Sequence, residues 1–122
     1  MYRRIDHLAL HVSDMGRTVT FYEKHFGFEK YFDHQSSKGF AIAYLRLGDT
    51  VLELVERSEG GMNGFHFCLE TDDFDGSVAR LTEAGVEVVQ SPHHTPPRVP
   101  REEGWRRVVF LGPDGESIEL RG

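Results

Sequence analysis

Along this chain hydrophobic and polar positions alternate, then recur with a helical period, then alternate again, and the whole order occurs twice. Leu8, Leu10 and Val12 alternate with His7, Ala9 and His11, which predicts a strand over residues 4–12. Ser13 and Asp14 offer a helix N-cap. Met15, Val19, Tyr22 and Phe26 then recur at i, i+4, i+7 and i+11, one face of a helix that Gly27 stops. Three strand-like runs follow, near 28–34, 39–47 and 50–56, with turns at Gly39 and Gly48-Asp49. The second half repeats the order. Phe65, Phe67 and Leu69 alternate with His66, Cys68 and Glu70 in a strand near 64–70, and Asp72 and Asp73 are cap candidates. Phe74, Val78, Leu81 and Gly85 reproduce the helical spacing, and strands are expected near 86–90, 105–111 and 116–121.

The two halves superpose in register. His7 and His66 stand 59 residues apart, as do Met15 and Phe74, and Val19 and Val78. Near the ends Leu52-Glu53-Leu54 matches Ile118-Glu119-Leu120 at an offset of 66, so the second half carries an insertion. Its expected place is Ser91–Gly104, a loop with prolines at 92, 96, 97 and 100. Internal repeats fix architecture better than local propensity does. The expected fold class is therefore α+β, a single domain over 1–122. It consists of two βαβββ modules (1–57 and 63–122) joined by a linker at 58–62. Their strands form a curled mixed sheet around a groove on the face opposite the helices.

Composition narrows the functions. With 14 Lys and Arg against 20 Asp and Glu, the net charge is −6, which argues against nucleic acid as a partner. No apolar run reaches the roughly 20 residues of a membrane span. The N-terminus lacks the apolar segment of a signal peptide. One cysteine, Cys68, forbids an internal disulfide and a Cys-rich zinc site and fits a reducing, cytoplasmic setting.

Strand alternation sorts the remaining chemistry by face. If Leu8, Leu10 and Val12 cover the helix, His7 and His11 face away from it. The same parity puts His66 and Cys68, Glu53 between two leucines, and Glu119 between Ile118 and Leu120 on the open face. His7, Glu53, His66 and Glu119 are then two imidazoles and two carboxylates at repeat-equivalent positions. Such a set suits one borderline divalent metal ion per site, Ni, Zn, Co, Fe or Mn. Four ligands leave a position open for substrate, as catalytic sites do. Taken singly, each of the four also reads as an ordinary polar residue on the wet face of a sheet. Cys68 reads as a small buried hydrophobe rather than a reactive thiol. The 91–104 loop reads as a cover for the groove or as a solvated loop, with Arg98, Arg101, Arg106 or Arg107 available to an anionic group.

Ile5-Asp6-His7-Leu8-Ala9-Leu10, Thr20-Phe21-Tyr22-Glu23 with Phe26-Gly27-Phe28, Phe65-His66-Phe67 and Gly112-Pro113-Asp114-Gly115-Glu116-Ser117-Ile118-Glu119-Leu120 together resemble the vicinal oxygen chelate superfamily. That superfamily includes glyoxalase I, fosfomycin-resistance proteins, extradiol dioxygenases and bleomycin-resistance proteins. The resemblance spans essentially the whole chain, and the His-Glu-His-Glu order is most similar to glyoxalase I. It implies His7, Glu53, His66 and Glu119 as metal ligands, with Glu119 and Glu53 as the proton-transferring carboxylates of a lyase or isomerase. The implied substrate is a small metal-chelating metabolite such as a 2-oxoaldehyde thiol adduct. His11 stands where bacterial glyoxalase I has a glutathione-contacting Arg, and Arg57 where an Asn is common. His11 and Arg106 are the expected substrate contacts. A homodimer is expected, with the first module of one chain meeting the second of the other. The alternatives are a fosfomycin-type thiol transferase, against which Glu53 and the end of the chain at Gly122 argue, and a non-catalytic protein that sequesters a small molecule.

Overall fold

The computed structural model describes residues 1, 4–58 and 65–122, so most of the expected joint at 58–62 lies outside the described residues. The chain divides into two compact units, Met1–Met62 and Asn63–Gly122. Each is a four-stranded mixed sheet with one helix, and the architecture is α+β.

Unit 1 runs β1 (Leu8–Val12), α1 (Met15–Phe26), β2 (Glu29–Gln35), β3 (Ala41–Leu47) and β4 (Thr50–Glu56), with the sheet order β1-β4-β3-β2. β1 and β4 are parallel, and the other pairs are antiparallel. The helix begins where the sequence places it. The Asp14 carboxylate accepts the Arg17 N–H at 2.9 Å, satisfying one of the orphan donors of the first turn. It ends at Gly27, whose φ of 72° is the left-handed conformation that costs glycine nothing. The Phe28 N–H then returns to the Tyr22 carbonyl, and the two rings meet edge-on at 5.7 Å. This backbone closure with its apolar contact is the usual way such a helix end is sealed. Tyr22, Leu10, Val12, Leu45, Leu52 and Leu54 are fully buried between α1 and the sheet.

Unit 2 repeats the plan: β5 (His66–Glu70), α2 (Phe74–Glu83), β6 (Val88–His94), a 3-10 turn at Pro100–Glu102, β7 (Arg106–Leu111) and β8 (Ser117–Arg121), in the order β5-β8-β7-β6. Asp73 is the N-cap, accepting the Gly76 N–H. Val108, Phe110 and Ile118 are fully buried, and Leu81 and Leu120 nearly so. In the β7–β8 hairpin the buried Glu116 side chain accepts the Asp114 N–H and folds against Gly112, where any Cβ would collide with it.

Two expectations about elements are corrected. The first strand starts at Leu8 rather than residue 4. The insertion is not all loop: β6 continues through Ser91, Pro92, His93 and His94, pairing His93 with Arg107 and His94 with Arg106 after register shifts. Pro92 is tolerated because β6 is an edge strand and the pairing is already irregular there.

Candidate metal and substrate site

The open face of each sheet, opposite its helix, carries one His–Glu pair. In unit 1 the backbone register sets Ala9 opposite Glu53 and Tyr44 opposite Glu53, so residues from three strands share that face. Leu52 and Leu54 turn inward, leaving Glu53 outward but only 15% exposed. Its Oε2 accepts the Tyr44 hydroxyl at 2.9 Å and lies 3.1 Å from His7 Nε2. The other ring nitrogen of His7, Nδ1, lies 3.0 Å from Asp6 Oδ2. That hydrogen bond holds the Asp6 carboxyl below its usual range. It also fixes which nitrogen His7 presents to Glu53. The bond to Glu53 pushes the Tyr44 phenol above its usual value, with burial adding to the effect. Around Tyr44 stand the rings of His7, Tyr31, Phe32 and His34, each with its centroid within 6.3 Å.

In unit 2 the register sets Cys68 opposite Glu119 and Glu119 opposite Val109. His66 and Glu119 line one cavity of about 380 Å³ with Val89, Gln90, Arg107, Val109 and Ser117. Glu119, 14% exposed, accepts from Arg107 Nη2 at 3.1 Å. Cys68 is exposed rather than buried as expected, because it lies on the open face beside Glu119. Desolvation, reinforced by Glu119, pushes its thiol up to about 11.

The expected residues are thus divided between the units. His7 and Glu53 are brought together in one, and His66 and Glu119 share a cavity in the other. His11 is exposed on β1, two residues along from Ala9 on the same face. Arg106 is a correction. It stands on the helix side of β7, paired with Asp75 at 2.9 Å and lying over the Phe74 ring at 4.5 Å. The arginine on the open face is its neighbour Arg107, and the partner that sequence reading missed in unit 1 is Tyr44. Also missed is Glu102, 1% exposed, which fastens the segment after β6. Its carboxylate accepts the Arg98 backbone N–H at 2.9 Å and the Arg98 guanidinium at 2.6 Å, and meets Arg121 at 3.3 Å. Those bonds hold its carboxyl down at about 2.

Among the described residues no group of three or more His, Cys, Asp or Glu is gathered around a common point. Pair by pair, the donors still fit a divalent ion. A ligating imidazole characteristically gives its second nitrogen to a carboxylate, as His7 does to Asp6. A ligating carboxylate is itself hydrogen-bonded, as Glu53 is by Tyr44. Among the described residues no helix is long and apolar enough to cross a membrane.

The fold and the paired open faces define a class, and sequence comparison agrees. The Glyoxalase/Bleomycin resistance protein/Dioxygenase superfamily model matches residues 4–120, and the chain belongs to that superfamily. The virulence protein STM3117 of Salmonella typhimurium is 30% identical, over 96% of this chain and 82% of its own length. The metallothiol transferase FosB of Shouchella clausii is 29% identical, over 98% of this chain and 80% of its own. The crystal structure of TnmS3, an antibiotic-binding protein from Streptomyces, superposes with a TM-score of 0.78 at 29% identity, covering 98% of this chain and 94% of that one.

Proposed function

We propose that this protein is a metal-dependent enzyme of glyoxalase type. His7, Glu53, His66 and Glu119 together hold one divalent ion, and a small oxygenated metabolite is converted by proton transfer. The observation that carries this reading is the pair of repeat-equivalent His–Glu sets, each on an open sheet face. Two carboxylates balance the charge of a divalent ion, and two imidazoles favour a borderline metal. A bound ion would supply Lewis-acid polarisation of a substrate carbonyl.

The chain's own residues have separate tasks. Asp6 fixes the His7 ring. Tyr44 holds Glu53 Oε2 in one orientation. Glu119, the base implied by the superfamily resemblance, takes the proton from the carbon beside the carbonyl. The same carboxylate, or Glu53, its counterpart in the repeat, returns a proton to the neighbouring carbon. Assembly as a homodimer, with the first module of one chain meeting the second of another, belongs to the same proposal.

A second reading, metal-dependent thiol transfer, is favoured by the likeness to FosB. The experiment is elemental analysis of the purified protein, followed by turnover assays on 2-oxoaldehyde thiol adducts and on epoxides with thiols. Glu119→Gln and Glu53→Gln are expected to lower lyase turnover by about 10²–10⁴-fold, the usual size of a general acid–base contribution. A protein that neither retains nor takes up metal stoichiometrically would end both readings. Turnover only of epoxide with thiol would select the second.

A further inference from the structure

We infer that Arg107 is a substrate-binding residue, and that the substrate carries an anionic oxygen group, a carboxylate or phosphonate, in the cavity beside His66 and Glu119. The inference deepens the proposed function and rests on it for the identity of that cavity as the site.

The argument starts from hydrogen-bond accounting. Arg107 carries five N–H donors in a rigid fork. One of its terminal nitrogens reaches Glu119 at 3.1 Å. Its Nε is sealed from solvent and, among the described residues, has no hydrogen-bond partner. Buried polar nitrogens are nearly always satisfied, and an unmet one is a standing cost to the fold. Arg107 lines the 380 Å³ cavity and its side chain is 31% exposed, so an acceptor entering there can meet the guanidinium.

The lining gives the acceptor's chemistry. Besides Arg107, the Gln90 amide, the Ser117 hydroxyl and the His66 ring can all donate. The one carboxylate, Glu119, is already matched by Arg107. A neutral carbonyl would use one donor, whereas a planar or tetrahedral oxyanion uses several at once and matches the guanidinium fork. Val89 and Val109 provide an apolar wall for a short carbon body.

The test uses the full chain without metal. The ¹H–¹⁵N resonance of the Arg107 Nε–H, identified by its loss in Arg107→Lys, is followed during titration with methylphosphonate, with propionate, and with propionamide as the neutral control. The expected result is a saturable shift of that resonance with one or both anions and none with propionamide. Arg107→Lys, titrated through the backbone amide shifts of the residues lining the cavity and compared with wild type by the same signals, keeps the positive charge but loses the fork, and should weaken anion binding about tenfold or more, the scale of a charge-assisted hydrogen bond. Preference for methylphosphonate over propionate would assign the tetrahedral oxyanion, and the reverse the carboxylate. A resonance that no anion moves, or an Arg107→Lys protein that binds as the wild type does, overturns the inference. Neither result touches the metal content, so the metal reading stands or falls by its own assay.

Discussion

Removing one oxygen atom tests how the unit 1 site is built. Tyr44→Phe deletes the hydroxyl that donates to Glu53 Oε2 at 2.9 Å and leaves the ring among His7, Phe32 and His34. A hydrogen bond to a charged acceptor contributes about 1.5–3 kcal/mol. Here the carboxylate keeps His7 Nε2 at 3.1 Å and is 15% exposed, so water recovers part of the loss. A net cost of about 1–2 kcal/mol follows, which is roughly a 5–30-fold change in an equilibrium constant. If Glu53 is a metal ligand, that factor appears as weaker metal binding, measured by competition with a chelator of known affinity. Thermal melts of the same samples confirm that the fold is intact. There is also a signature at high pH. The Tyr44 phenol lies above its usual value in the folded chain, so its stabilising contribution is fully present below pH 10 and is lost as pH rises through the folded value. Wild type should therefore show an alkaline loss of stability that Tyr44→Phe lacks. Metal affinity within twofold of wild type, in a folded variant, would refute the positioning role of Tyr44.

The unit 2 features give further tests. Glu102 titrates near 2 rather than at its ordinary 4.5 because Arg98 and Arg121 hold it, so its stabilisation is present above pH 4.5 and disappears as pH falls toward 2. Glu102→Gln should melt well below wild type at pH 7, and the gap should close in acid; an unchanged gap down to pH 2 would remove Glu102 from the acid transition. Phe110→Ala, at a fully buried position, should cost about 3–5 kcal/mol in urea unfolding, as large core truncations do. Cys68, with its thiol pushed up to about 11, should react with iodoacetamide at pH 7.5 more slowly than free glutathione despite its exposure, and faster alkylation would contradict that environment.

The parts of this molecule that were legible in its sequence are those governed by a clean period. Leu8-Ala9-Leu10-His11-Val12 and Leu52-Glu53-Leu54 alternate strictly, so the sides taken by His11 and Glu53 followed from pleating alone. The helices were readable from their spacing together with Asp14, Asp73 and Gly27 at their ends. β7 failed the same treatment. Val108, Val109 and Phe110 are all apolar and all buried, so alternation gives no parity, and Arg106 and Arg107 exchange roles with a one-residue shift. Tyr44 was hidden differently. It belongs to the site through the cross-strand pair Tyr44–Glu53, a contact of register that the order of residues does not show. Glu102 looks like a surface charge in Arg101-Glu102-Glu103-Gly104, and only the arrival of Arg98 and Arg121 makes its burial tolerable.

The repeat also shows how one skeleton acquires two chemistries. Tyr44 stands across from Glu53, and the residue across from Glu119 is Val109. A valine cannot donate, so the second carboxylate must be held from elsewhere. Arg107, one pleat repeat away on the same strand and face, reaches it diagonally. The first carboxylate is thereby steadied by a neutral phenol among aromatic rings, and the second by a cation whose Nε has no partner among the described residues. The two open faces therefore differ in what they offer a neighbouring molecule: that of unit 1 a hydroxyl among aromatic rings, that of unit 2 a guanidinium.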